Sequence, residues 1–228
     1  MTKLLYVLRT LPCFDNSLLA SSDDTLRRGL SLVLNVELSD KQWSQANLSV
    51  QMGGLGVRSA CKLASSAFLA SAAATLSLQN VILFEPIKAA EDPAISSATT
   101  TWTSLTQSSI PAEVTRHIQK AWDTPVAATV YQTILADDTN TATDIARLKA
   151  AATIHAGDWL HAPPIKAVGL RLSDEDIRIA VGFRLGSRTC QPHSCLCSSI
   201  VNAQGLHGLS CRKSAPRQIR HVQMNDII

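Results

Sequence analysis

Four side chains late in the chain have the types and the spacing to hold a soft metal ion. Cys195 and Cys197 flank a single residue, and His207 and Cys211 stand four apart, which puts both on one face of a helical turn. Three thiolates and one imidazole make a soft-to-borderline tetrahedral set that suits zinc. With four protein ligands there is no open position for water, so the expected role of Zn2+ is structural, not catalytic. In so short a segment the metal would supply most of the folding free energy. Cys-x-x-Cys is the commoner half-site, so the tighter pair here leaves Cys190 and His193 as alternative ligands. Four reduced cysteines with no metal is the other reading.

The residues around this cluster are basic. From residue 184 to 228 there are six Arg/Lys and one acid (net +5), and the total of +3 leaves about −2 on the rest. Arg212, Lys213, Arg217, Arg220 and His221 follow the last cysteine directly and suit contacts to a phosphate backbone. The expected partner is therefore RNA or DNA, bound mainly through its backbone. Aromatic side chains for stacking on bases are missing from this stretch, so sequence-specific reading of single strands is not expected. An ordinary solvated basic helix is the plain alternative.

The elements that must position these residues read as helices. Hydrophobic residues at 46% exclude a disordered chain, while aromatics at 4% and abundant Ala, Ser, Leu and Thr favour helices packed through small side chains. The fold class expected is mainly α: a helical, bundle-like part, then a small zinc knuckle and a C-terminal basic helix. Residues 3–36 read as two helices split by Pro12, the second opened by Ser22, Asp23 and Asp24 and carrying Leu26, Leu30, Val33 and Leu34. A short helix around 40–48 would bury Trp43. Gly53, Gly54 and Gly56 read as a tight turn, because no Gly-Lys-Ser/Thr follows to make a phosphate loop. The turn leads into a helix over about 59–83 with a stripe of Leu63, Ala67, Ala70, Ala74, Leu78 and Val81.

Residues 85–110 carry prolines around a Ser/Thr-rich centre and read as a linker. Beyond it, Pro111 would begin a helix bearing Val114, Ile118, Ala121 and Trp122, with two more over about 126–136 and 140–160. Asp137-Asp138 has the look of paired metal-binding acids, yet a helix end with its cap is the better reading. Ser173, followed by Asp174, Glu175 and Asp176, caps a further helix, and Gly186 ends it. The segments expected are thus 1–84, helical; 85–110, linker; 111–189, a helical linker domain; 190–212, the knuckle; and 213–228, the start of a further domain.

The four clustered cysteines mixed with histidine read as metal in a reducing compartment, nuclear or cytoplasmic, rather than as a disulfide framework. The Leu4–Leu8 run is cut by Arg9 and is too short for a signal peptide. The uncharged stretch from Leu63 is long enough to span a bilayer, but its many Ser, Thr, Gln and Asn residues make insertion unattractive. No membrane and no small-molecule substrate are expected, and Cys13 and Cys61 have no neighbouring His to make a hydrolase.

A family resemblance rests on Ile177 to Gly186, Pro192-His193-Ser194-Cys195-Leu196-Cys197, Gly205-Leu206-His207-Gly208-Leu209-Ser210-Cys211, and the run from Arg217 to Ile228. Together they resemble the region downstream of the reverse transcriptase in non-LTR retrotransposon polyproteins with a restriction-like endonuclease. Leu4–Phe14 and Gly53–Ser59 look like the thumb that follows the polymerase palm there. The resemblance implies a CCHC knuckle whose ligands map onto Cys195, Cys197, His207 and Cys211, and which helps bind template RNA or target DNA. It further implies a piece without either catalytic centre of the parent RNA-directed DNA polymerase, so no enzyme activity is expected. The rival from another class is a zinc-stapled helical module for protein–protein interaction.

Overall fold

The computed structural model describes residues 2–83 and 92–213. Its described part is mainly α, as expected, with a two-stranded sheet near the C-terminal end. Helices α1 (Thr2–Thr10), α2 (Ser17–Leu34) and α3 (Asp40–Asn47) precede the long α4 (Ala60–Ile82), and α1, α2, α5 (Pro93–Thr106) and α6 (Gln119–Leu135) all pack on α4. Then come α7 (Ala142–Ala151) and α8 (Asp174–Leu185), the hairpin β1 (His193–Ser194) and β2 (Ile200–Val201), and one turn of helix, α9 (His207–Ser210).

The small-residue stripe of α4 does what its spacing predicts, but only along its first half. Leu63, Ala64, Ala67, Leu69 and Ala70 are buried, and Ala67 has no exposed surface at all. Side chains this small let α1, α2 and α5 approach closely. Further along, Leu78, Val81 and Ile82 lie exposed, so the amphipathic pattern outruns the bundle that covers it. By length and composition α4 is apolar enough to cross a membrane, yet its first half is core helix here.

The start of α4 is fixed from a distance. Asp23, expected to cap its own helix, lies inside α2, which begins earlier, with Asn16 accepting from the Leu18 amide. The buried Asp23 carboxylate instead accepts from Ser59 Oγ at 2.5 Å and from the amides of Ala60 at 2.6 Å and Cys61 at 3.3 Å. It caps α4 across the fold, where a negative charge meets the positive end of the helix dipole. An Asp23→Ala variant should lose about 2 kcal/mol of stability in urea unfolding, because two amides and a hydroxyl are left buried without an acceptor.

The linker expectation fails over residues 93–106. These form α5, opened by Asp92 accepting from the Ala94 amide and by Pro93 in the first turn. The Ser/Thr richness is absorbed by back-bonding: Thr99 Oγ1 donates to Ile95 C=O and Thr100 Oγ1 to Ser96 C=O. Trp102, 0% exposed, is what makes the segment core; its ring meets Trp122 edge-on at 5.0 Å and its Nε1 donates to the Trp122 carbonyl. Of the rest of that expected linker, 85–91 lies outside the described residues and 107–110 has no regular structure.

Two helix boundaries also move. Residues 113–115 are a 3-10 turn, and α6 runs unbroken through Pro125 because Trp122 and Val126, on either side of it, are both buried in one cluster. The helix expected over 140–160 stops at Ala151. Clusters that join Leu48 to Ile134 and Leu148, and Leu34 and Leu38 to Val181 and Leu185, cross the expected boundary between 1–84 and 111–189. The two expected segments therefore pack against each other through shared apolar clusters.

Several local readings hold. Gly54 is a true close approach: a Cβ there would lie 2.0 Å from the Leu48 carbonyl oxygen. Asp137 follows α6 and accepts from the Thr139 amide and hydroxyl, with Lys41 3.2 Å away, as a capped turn and not as one of a metal-binding pair. Ser173 and Asp176 form a reciprocal capping box, and Gly186 ends α8 in the left-handed region.

Candidate metal centre

The end of α8 leads into the segment that carries the candidate metal ligands. After Gly186 the Ser187 amide donates back to the Gly182 carbonyl, and the chain turns so closely that a Cβ on Gly182 would lie 2.6 Å from Thr189 Cγ2. The amides of Thr189 and Cys190 both donate to Ala203 C=O, and Thr189 Oγ1 to Gln204 C=O. These bonds close the base of the hairpin just beyond α8. The strands pair antiparallel, His193 with Val201 and Ser194 with Ile200.

Cys195 and Cys197 lie on the hairpin loop. The Cys195 amide donates to Ser199 C=O at 2.9 Å, the Ser198 amide to Cys195 C=O at 2.8 Å, and Ser198 takes a left-handed φ of 70° to close the turn. This is how a one-residue spacing can still aim both sulfurs to the same side. His207 and Cys211 come from α9 and the residue that ends it, with the Cys211 amide donating to His207 C=O.

The four groups converge. Their ligand atoms all lie within 4.8 Å of one another, with Cys195 Sγ to Cys211 Sγ at 3.6 Å and Cys197 Sγ to His207 Nε2 at 3.1 Å. A sulfur pair at 3.6 Å is far too long for a disulfide. The arrangement can hold one metal ion between hairpin loop and helical turn. Of the alternatives left open by the sequence, neither joins the cluster. The Cys190 thiol donates to Asn202 C=O at 3.3 Å, and His193 Nδ1 lies 2.8 Å from Gln191 C=O.

The electrostatics favour thiolate at the loop. The Cys197 thiol is lowered to about 6, first by the Ser199 hydroxyl and then by the Ser199 amide. The Cys211 thiolate is stabilised by the Lys213 amide, but burial and the two neighbouring sulfurs outweigh that bond and raise it. Ser199 therefore belongs to the site although its type alone did not mark it; its place two residues after Cys197, in the same turn, was the available signal.

The basic residues separate into three groups. Arg184 is not part of the charged surface: only 6% exposed, its guanidinium donates to the carbonyls of Gly54 at 3.0 Å, Ala156 at 3.0 Å and Val50 at 2.6 Å. It pins the glycine turn and the α7–α8 connection to α8. Arg188, Arg212 and Lys213 are exposed beside the knuckle, and Lys213 Nζ donates to Leu196 C=O at 3.0 Å, bracing the hairpin loop. Arg217, Arg220, His221 and the expected C-terminal basic helix lie outside the described residues. Comparison with family models, with curated proteins and with solved structures finds no match to this chain.

Proposed function

We propose that this chain binds RNA or DNA non-specifically through a structural zinc knuckle and the basic residues attached to it, as a non-catalytic part of a retroelement reverse transcriptase polyprotein. The observation that carries the reading is the convergence of Cys195, Cys197, His207 and Cys211 within 4.8 Å. A tetrahedral zinc with Zn–S bonds of about 2.3 Å would hold its sulfurs roughly 3.8 Å apart, close to the 3.6 Å between Cys195 and Cys211. Soft thiolates with one imidazole favour zinc over the oxygen-seeking cations. Its place in a retroelement polyprotein rests on the sequence resemblance, and the charge of Arg212, Lys213, Arg217 and Arg220 supports contact with phosphates.

The test is salt dependence. If four basic residues each neutralise a phosphate, log Kd for a labelled duplex should rise with log salt at a slope of about 3.6 in fluorescence anisotropy. Replacing Arg217 and Arg220 with Gln should reduce that slope by about two and weaken binding equally on unrelated sequences. Absent or salt-insensitive binding by the zinc-loaded protein overturns the reading. The second reading, a zinc-stapled protein-interaction module, is favoured by exposed Leu78, Val81 and Ile82 at the end of α4. A stoichiometric protein partner that survives nuclease treatment would favour it.

A further inference from the structure

A second constellation lies on the helical bundle, and none of its residues belongs to the metal centre. Between the turn that follows α3 and the faces of α4 and α6 is a cleft of about 630 Å³, within the range of small-molecule sites. Its walls include Met52, Leu63, Val126 and Val130, an apolar lining, together with four charged side chains: Arg58, Lys62, Lys120 and Asp123. Arg58 and Asp123 neutralise one another at 3.1 Å. Lys62 and Lys120 have no such partner: among the described residues neither ammonium makes an ion pair or a hydrogen bond.

Lys62 is the unusual one. It is largely buried, and the loss of water around it lowers its pKa, only partly offset by Asp23 and Cys61. An ammonium partly withdrawn from water and without an ion-pair partner carries a desolvation cost that a bound anion would offset. The backbone of the glycine turn and of the start of α4 offers no free amide for an anion here. The amides of Gly53, Gly54, Leu55, Gly56 and Val57 all donate to carbonyls of residues 46–50, and the first amides of α4 are taken by Asp23 and by Ser59 Oγ. An anion in this cleft must therefore be bound by side chains, and with Arg58 paired to Asp123 the lysines are the cations left to meet it. Asn47, also on the cleft wall, has both polar atoms of its carboxamide shielded from water and without a protein partner. Native interiors leave few such groups unsatisfied.

We propose that this cleft binds a small phosphomonoester with an apolar body, its dianionic head between Lys62 and Lys120 and its body against the Met52, Leu63, Val126 and Val130 wall. Two ammoniums without ion-pair partners among the described residues match a dianion better than a carboxylate, and the apolar lining needs more than inorganic phosphate to fill it.

The experiment uses the full zinc-loaded chain and 1-naphthyl phosphate as the probe, followed by isothermal titration calorimetry. One equivalent should bind, about tenfold more tightly than 1-naphthoate (the same body with one charge fewer) or inorganic phosphate. Lys62→Met should weaken binding about tenfold and Lys120→Met about threefold, whereas Lys166→Met, outside the cleft, should change nothing. Removing an unpaired, desolvated ammonium should not lower the melting temperature of Lys62→Met, so its lost affinity is not lost folding. Should Lys62→Met melt early, the exposed Lys120→Met carries the test. The proposal is overturned if 1-naphthyl phosphate does not bind, if 1-naphthoate binds equally well, or if both Lys→Met variants in the cleft bind like the parent.

Discussion

A Cys197→Ser, Cys211→Ser double variant should purify without zinc, where the parent chain should carry one equivalent, and its segment from residue 188 to 213 should unfold while the helical bundle stays intact. The reasoning is one of support. None of the four apolar clusters contains a residue beyond Leu185, so the knuckle has little core of its own to fall back on. What remains to it without metal are a two-residue strand pairing, the bonds from Thr189 and Cys190 to Ala203 and Gln204, and a few turn bonds such as those of Cys195 with Ser199 and of Lys213 with Leu196. Structural zinc supplies roughly 10–16 kcal/mol in comparable small sites at neutral pH, far more than a few hydrogen bonds worth about 1 kcal/mol each. Metal analysis by mass spectrometry reads the first part. Limited trypsin digestion reads the second, because Arg188 and Arg212 are exposed and become cleavable once the chain around them opens. Helical circular dichroism should hardly change. Zinc retained at one equivalent by the double variant would refute the ligand assignment.

Trp102→Ala should be the most damaging single change in the bundle, costing about 3–5 kcal/mol and lowering the melting temperature by roughly 10 °C. The indole is fully buried, packs edge-on against Trp122, and donates its only N–H to the Trp122 carbonyl. Truncation leaves a large cavity between α4, α5 and α6 and removes the indole's bond to that carbonyl. Ser104→Ala, two residues further on the exposed side of α5, should stay within about 0.5 kcal/mol of the parent. The contrast tests whether residues 93–106 are core or connection. A linker would tolerate both changes equally.

The difference between those two residues also shows where reading the chain alone reached its limit. Helix ends were legible where the signal is short-range: Ser173 with Asp176 and Gly186 needs only neighbours within a turn or two. The convergence of the four candidate ligands was legible for the same reason, since hairpin loop and helical turn lie within seventeen residues. Composition misled at α5, because Ser and Thr favour loops only when their hydroxyls cannot bond back to the helix, and one buried Trp outweighed them.

Amino-acid types and local spacing determined the helical class, the caps, the glycine turn and the four-ligand set. Tertiary structure alone decided that Asp23 caps a helix 37 residues away, that Arg184 is a core residue rather than surface charge, and that Lys62 and Lys120 face one cleft. The physical reason is range. A cap or a chelating pair is fixed by backbone geometry over a few residues. The burial and partner of a charge depend on which distant carbonyls and carboxylates the packed helices bring beside it.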